Sequence, residues 1–360
     1  MKNKYQLILV ILLTAITALI LIGGLQKEKE MKSKIAEVAV VYNAEQKARQ
    51  EKISLIEQAI VEELPGIIAW GDSLTAGAGG EGTNYPNQLQ SLIKSNVYDI
   101  PVINMGVGGE NTNTIMGRAG SVPFVVNSFT IPNDTSKVEI TIMSSDGNSV
   151  APLRQGDNGV NPVTINGISG TISIEQATYT SQEYTYYFNR TEPGTPVNVE
   201  DGTVITTAAT TLNDYQNYIP IVFMGQYGGW NENPLELISQ IKSILNMDQW
   251  NDKYLVLGLT SGTAESRADL ELAMQGEFGD RYINLREIIV KSGLEQLGII
   301  ATEADLNAMN EGAIPPSLLS DSVHFNSSGY TFIAQVVYDR MIELGYFEVI
   351  KELIAERKSI

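Results

Sequence analysis

Between Ala119 and about Thr211 this chain loses every helical signal, while on both sides of that tract short apolar runs alternate with helical stretches. That change of period constrains the fold more than any other feature. The runs "GIIAWG" (66–71), "PVINMG" (101–106), "IPIVFMG" (219–225) and "KYLVLGLT" (253–260) are strand-like and end in glycine or small polar residues. "YPNQLQSLIKS", "PLELISQIKSIL" and "YTFIAQVVYDRMIELG" have helical spacing. Uniformly apolar strands separated by helices are buried on both faces, so an α/β fold with a parallel sheet is expected over 64–118 and 214–350. Such a sheet collects functional residues at the carboxyl ends of its strands. The intervening tract, 119–213, has β-branched and aromatic runs ("PFVVNSFTI", "KVEITIMSS", "GISGTISIE", "EYTYYFNRT", "TPVNVE", "TVITTAA") broken by "SDGN", "GDNG" and "EPGT" turns. It predicts an inserted all-β domain, a small antiparallel sandwich or barrel.

The N-terminus carries a different constraint. "YQLILVILLTAITALILIGG" is twenty residues without a charge, long enough as a helix to span a bilayer core. Its length and the poor small-x-small fit of Leu21-Ile22-Gly23 favour an anchor over 1–24 above a cleaved signal peptide. Lys2 and Lys4 precede the run and Lys27, Lys29, Lys32 and Lys34 follow it, so positive charge does not orient it. We expect a single-pass membrane protein with its body extracytoplasmic, or a secreted one if the segment is cleaved. Residues 25–63 lack Gly and Pro and predict a juxtamembrane helix, stopped by Leu64-Pro65-Gly66. Ile35, Val38, Tyr42, Ile53, Ile56 and Ile60 form a loose stripe that suits a spacer packed on one side.

Composition removes whole classes of function. The net charge is −18, and because residues 1–60 are net positive the remaining body is more acidic still. Such a surface repels phosphate backbones, so no nucleic-acid partner is expected. The chain has no cysteine and one histidine, which excludes disulfides, thiolate sites and imidazole-rich metal centres. No metal and no cofactor is expected. Gly77, Gly79 and Gly82 in "GAGGEG" match a dinucleotide-binding pattern, but they follow Ser73 rather than leaving the strand directly, and they end in Tyr85-Pro86. They read as a flexible cleft rim.

The single imidazole is then the informative group. "IIAWGDSLTAGAGG" places Ser73 two residues past a strand end, where a parallel sheet presents side chains to a cleft. A serine hydroxyl needs a base to remove its proton during attack, and imidazole is the best-matched base near neutral pH. A carboxylate must then fix the imidazole's tautomer. His324 is the only imidazole, and Asp321 stands three residues before it in "SDSVHF".

"GDSL" at Gly71–Leu74 with "DSVH" at Asp321–His324 resembles the SGNH/GDSL family of serine hydrolases. The resemblance covers roughly 66–118 and 214–345 and implies a three-layer, flavodoxin-like α/β fold with Ser73, His324 and Asp321 as its triad. "NMGVGGENT" resembles the family's second block and makes Gly109 the oxyanion-hole glycine. The third block departs from the family's Gly-x-Asn pattern. "GQYGGWNEN" offers Tyr227 counted directly from the strand, or Asn231 if the loop is four residues longer. Ser…Asp…His order also occurs in α/β-hydrolases, but "GDSLT" lacks the second glycine of Gly-x-Ser-x-Gly. The resemblance implies an ester hydrolase acting on small acyl esters or O-acylated polysaccharide. A surface module binding glycan through the β insert, with little or no activity, is the alternative.

Overall fold

The structure is a computed structural model that describes residues 2–150, 152–153, 159–178, 181, 183–211, 217–246 and 253–360. Its contacts divide the chain into two units, 1–60 with 353–360, and 61–352.

The first unit is built on α1 (Lys2–Glu63), one uninterrupted helix through the expected anchor and spacer. Its apolar part is long and apolar enough to cross a membrane. Within that part the Thr14 and Thr17 hydroxyls donate to the carbonyls of Val10 and Leu13, so neither polar group is left without a partner. Ile35, Val38 and Tyr42 of the stripe are exposed, whereas Ile56 and Ile60 are buried. Lys52 pairs with Glu356 at 3.2 Å and Glu57 with Arg357 at 2.9 Å.

The second unit begins with β1 (Ile67–Gly71), α2 (Ser73–Ala76), α3 (Tyr85–Asn96), β2 (Val102–Gly106) and α4 (Thr112–Ala119). The inserted tract follows as β3 (Phe124–Val126), β4 (Phe129–Ile131), β5 (Val138–Ile140), β6 (Ile142–Ser144) and β7 (Val163–Ile165). It continues through β8 (Ile168–Gln176), β9 (Tyr184–Arg190), β10 (Val197–Val199) and β11 (Thr203–Thr206). The chain then resumes with β12 (Ile219–Phe223), α5 (Pro234–Leu245), β13 (Leu255–Leu257), α6 (Ala264–Phe278) and β14 (Tyr282–Ile283). Last come α7 (Leu285–Ile288), α8 (Leu294–Gln296), α9 (Glu303–Asn310) and α10 (Ser327–Glu343), and then α11 (Glu348–Ser359), which from residue 353 onward belongs to the first unit.

Five strands form a parallel sheet in the order β14-β13-β12-β1-β2. From β1 the chain steps outward to β2, and after the insert it returns to β12 on the other side of β1. The order therefore reverses beside β1, which makes the carboxyl end of β1 a topological switch point where a crevice opens. Gly71, Gly106 and Phe223 stand level across the sheet, so the loops after β1, β2 and β12 leave from one edge. Strand alternation sends Ile68 and Trp70 into a core with Ile115, Leu237 and Ile241, on the side of α4 and α5. Tyr85 of α3 meets the Phe223 ring edge-on, and α3 in turn packs on α10. β14, which the sequence did not announce, is only two residues long, too short to show a period.

In the insert β5 and β6 stand at opposite ends of the strand order β5-β9-β8-β7-β11-β3-β6, yet only Thr141 separates them in sequence. The sheet must roll until its two edges approach, which produces a near-barrel around Phe124, Ile165, Phe188 and Ile205. The run "KVEITIMSS" thus divides into two strands, and "PFVVNSFTI" divides between this sheet and a separate β4–β10 pair.

Candidate active site

Asp72 follows β1 and caps a single helical turn, its Oδ1 accepting the Leu74 N–H at 2.9 Å. Gly77 closes the turn at φ +94°, a left-handed conformation that glycine adopts without a Cβ penalty. Ser73 opens this turn at the switch point. Asn104 on β2 staples the turn from below, donating through Nδ2 to the Thr75 carbonyl at 2.9 Å and accepting the Gly106 N–H at 2.9 Å. Nothing in the sequence around Asn104 announces this staple, because an amide inside an apolar strand gives no indication of its partner.

His324 Nε2 lies 2.9 Å from Ser73 Oγ, and His324 Nδ1 lies 2.7 Å from Asp321 Oδ2. The other carboxylate oxygen of Asp321 accepts the backbone N–H groups of Val323 and His324 at 2.8 and 2.7 Å. These hydrogen bonds from His324 and Val323 hold the Asp321 carboxyl down at about 2, so it is ionised at neutral pH. An ionised acceptor fixes the proton on Nδ1 and leaves Nε2 to accept from the serine hydroxyl. The three groups form one continuous hydrogen-bonded chain capable of moving a proton from hydroxyl to imidazole.

The glycine run that reads as an open rim has a different place. An added Cβ at Gly79 would lie 2.0 Å from Ser320 Oγ and 3.0 Å from the His324 Cβ, so the run is pressed against the histidine loop. Tyr330 donates its hydroxyl to the Ala78 carbonyl at 2.7 Å, and Ser327 donates to the Gly80 carbonyl at 2.8 Å. Tyr85 and Pro86, expected to break the chain, instead open α3 behind the Asn84 cap. Gly79 is therefore the seat of the histidine loop, while an added Cβ at Gly82 would meet nothing within 4 Å, so the reading as an open rim is corrected at Gly79 alone.

Gly109 adopts φ +82°, and an added Cβ at its neighbour Gly108 would meet the Ser73 Cβ at 3.8 Å. The Val107 N–H donates to the Gly71 carbonyl at 3.1 Å, which ties this loop to the nucleophile strand. The two third-block candidates stand differently. Asn231, at φ +52°, donates its amide to both carboxylate oxygens of Glu236 at 3.1 Å. Tyr227 is 65% exposed. Among the described residues, neither is hydrogen-bonded to Ser73, His324 or Asp321. The loop itself is held by the Thr112 N–H and hydroxyl, which donate to the carbonyls of Gly228 and Gly229.

Asp72, the buried residue before Ser73, is a further titratable group here. Burial raises its carboxyl to about 7, against the opposing pull of the Leu74 N–H and the His324 imidazole. The folded chain thus retains a proton that the unfolded chain releases above about pH 4. Stability falls as pH rises from about 4 towards 7, because the native state binds more protons than the unfolded one. Asp72→Asn keeps the cap but removes this titration. Relative to wild type, it should gain roughly 4 kcal/mol between pH 4 and pH 8. Chemical denaturation at the two pH values measures it, and parallel curves for the two proteins would exclude Asp72 as the source.

Comparison with family models, curated proteins and solved structures finds no match to this chain.

Proposed function

We propose that this chain is a serine esterase of the SGNH/GDSL type. In this reading α1 holds it at a membrane with the site extracytoplasmic, and it hydrolyses O-acyl groups of cell-surface polysaccharide. The observation that carries the reading is the Ser73–His324–Asp321 hydrogen-bonded chain, closed at 2.9 and 2.7 Å between motifs 251 positions apart. The strand order supports it, since Ser73 stands where a doubly wound sheet opens its crevice.

In this mechanism Ser73 Oγ attacks the ester carbonyl carbon while His324 Nε2 takes the hydroxyl proton. The backbone N–H groups of Ser73 and Gly109 hold the developing oxyanion. Collapse expels the alcohol, which receives its proton from the imidazolium, and leaves an acyl-Ser73. Water activated by His324 releases the acid. Asp321 stabilises the imidazolium in both halves.

One observation favours a second reading, a glycan-binding surface module with weak activity. The Asn231 amide is engaged by Glu236, and an absent third oxyanion donor costs about 3–4 kcal/mol of transition-state stabilisation. A fluorophosphonate probe separates the two. Labelling of Ser73 in the folded chain is expected, together with turnover in a panel of acetylated glycans, short p-nitrophenyl esters and lysophospholipid. A folded protein that neither labels nor turns over any of them is the binding module.

A further inference from the structure

Beneath the loop that carries Gly109 lies an ion pair sealed from water. The Arg118 side chain is fully buried and the Glu110 side chain is 7% exposed. Arg118 Nε donates to both Glu110 oxygens at 3.0 and 2.9 Å, and Nη2 donates to Oε2 at 2.8 Å. Nη2 also donates to the Met105 carbonyl at 2.8 Å and approaches the Gly71 carbonyl at 3.5 Å. The guanidinium lies over the Trp70 ring at 5.3 Å. One planar cation therefore contacts the last residues of β1 and β2, the two strands whose loops bring Ser73 and Gly109 together. Its anionic partner is the residue directly after Gly109.

The insert closes the other side. Thr207 donates its hydroxyl to the Arg118 carbonyl at 2.7 Å, and an added Cβ at Gly159 would come within 3.3 Å of Arg118 Nη1. A buried ion pair contributes little net stability, because desolvation offsets the attraction, and apolar residues of similar size often serve as well. What such a pair supplies, and apolar packing does not, is a fixed direction at both ends. A bidentate fork leaves Glu110 one orientation, and the turn Val107–Glu110 inherits it.

We propose that Arg118 and Glu110 are positioning residues that hold the Gly109 N–H and the Ser73 hydroxyl in register for oxyanion stabilisation. The pair touches no substrate and acts through the loop. This rests on the esterase reading, and the inserted β domain contributes to the site by covering the pair.

The test uses the full-length chain, Glu110→Gln, and a double variant carrying Glu110→Met and Arg118→Met. In Glu110→Gln, kcat on a p-nitrophenyl ester should fall about 10- to 100-fold with KM within about threefold, the signature of misplaced transition-state groups. The double variant removes both charges and is expected to unfold at or above the wild-type temperature. A merely structural pair predicts wild-type kcat there, and positioning predicts the same kcat loss as in Glu110→Gln. Wild-type kcat in a folded double variant overturns the proposal while leaving the esterase reading intact. If Glu110→Gln fails to fold, the double variant alone decides. A wild-type protein inert to every ester and to fluorophosphonate overturns both.

Discussion

Ser73→Ala is expected to abolish turnover of a small acyl ester, by about 10⁴-fold or more in kcat, and to eliminate fluorophosphonate labelling. The physical reason is that, among the described residues, Ser73 supplies the hydroxyl that lies 2.9 Å from His324 Nε2. Folding should be unaffected. Ser73 opens a helical turn where alanine is a good helix former, and the cap on Leu74 comes from the Asp72 carboxylate, not from Ser73. Circular dichroism and the thermal midpoint should match wild type within error. Retained turnover in a folded variant would refute the esterase reading.

Gly106→Ala should damage the site through the backbone, by a smaller factor than Ser73→Ala. A Cβ at Gly106 would lie 2.1 Å from the Ala76 nitrogen and 2.5 Å from the Thr75 carbonyl carbon, both backbone atoms of the turn that Ser73 opens. Backbone cannot rotate away as a side-chain tip can, so the turn or the end of β2 must shift. Overpacking of this kind costs about 1–3 kcal/mol, sometimes more. The catalytic loss should be larger in proportion, because displacing a nucleophile by about 1 Å costs on the order of 100-fold. Urea unfolding gives the first quantity and kcat of the folded fraction gives the second. Gly276→Ala is the control. It lies exposed inside α6 with nothing within 4 Å of an added Cβ. There the same change should stabilise by about 0.5–1 kcal/mol, as expected in an open helix interior. A Gly106→Ala protein with wild-type stability and turnover would mean that β2 and the Ser73 turn are not packed as described.

Sequence alone was enough to anticipate features that are local. Each of the four expected sheet strands is an apolar run bounded by small residues, and each lies in the parallel sheet within three residues of its expected ends. The helix-free tract announced an antiparallel sheet because period two is visible in any six residues. The long apolar N-terminal helix was legible for the same reason. That Ser73, Asp321 and His324 meet was legible too, because a lone imidazole, a strand-end serine and a nearby carboxylate narrow the choice of partners, and the three are joined at 2.9 and 2.7 Å.

Tertiary structure alone decided which groups face each other. The Gly79 seat, the Asn104 staple and the Glu110–Arg118 pair join residues from different elements, and their sequence neighbourhoods carry no periodicity that points across space. The near-barrel closes because the β5 and β6 edges approach, a condition on the whole sheet that no single run reveals. The third-block loop makes the same point with a single side chain. An asparagine can be counted into an oxyanion position, but its direction depends on backbone φ and on the nearest acceptor, and here the acceptor is Glu236. A sequence specifies donors and acceptors, while their directions are set only when distant segments pack together.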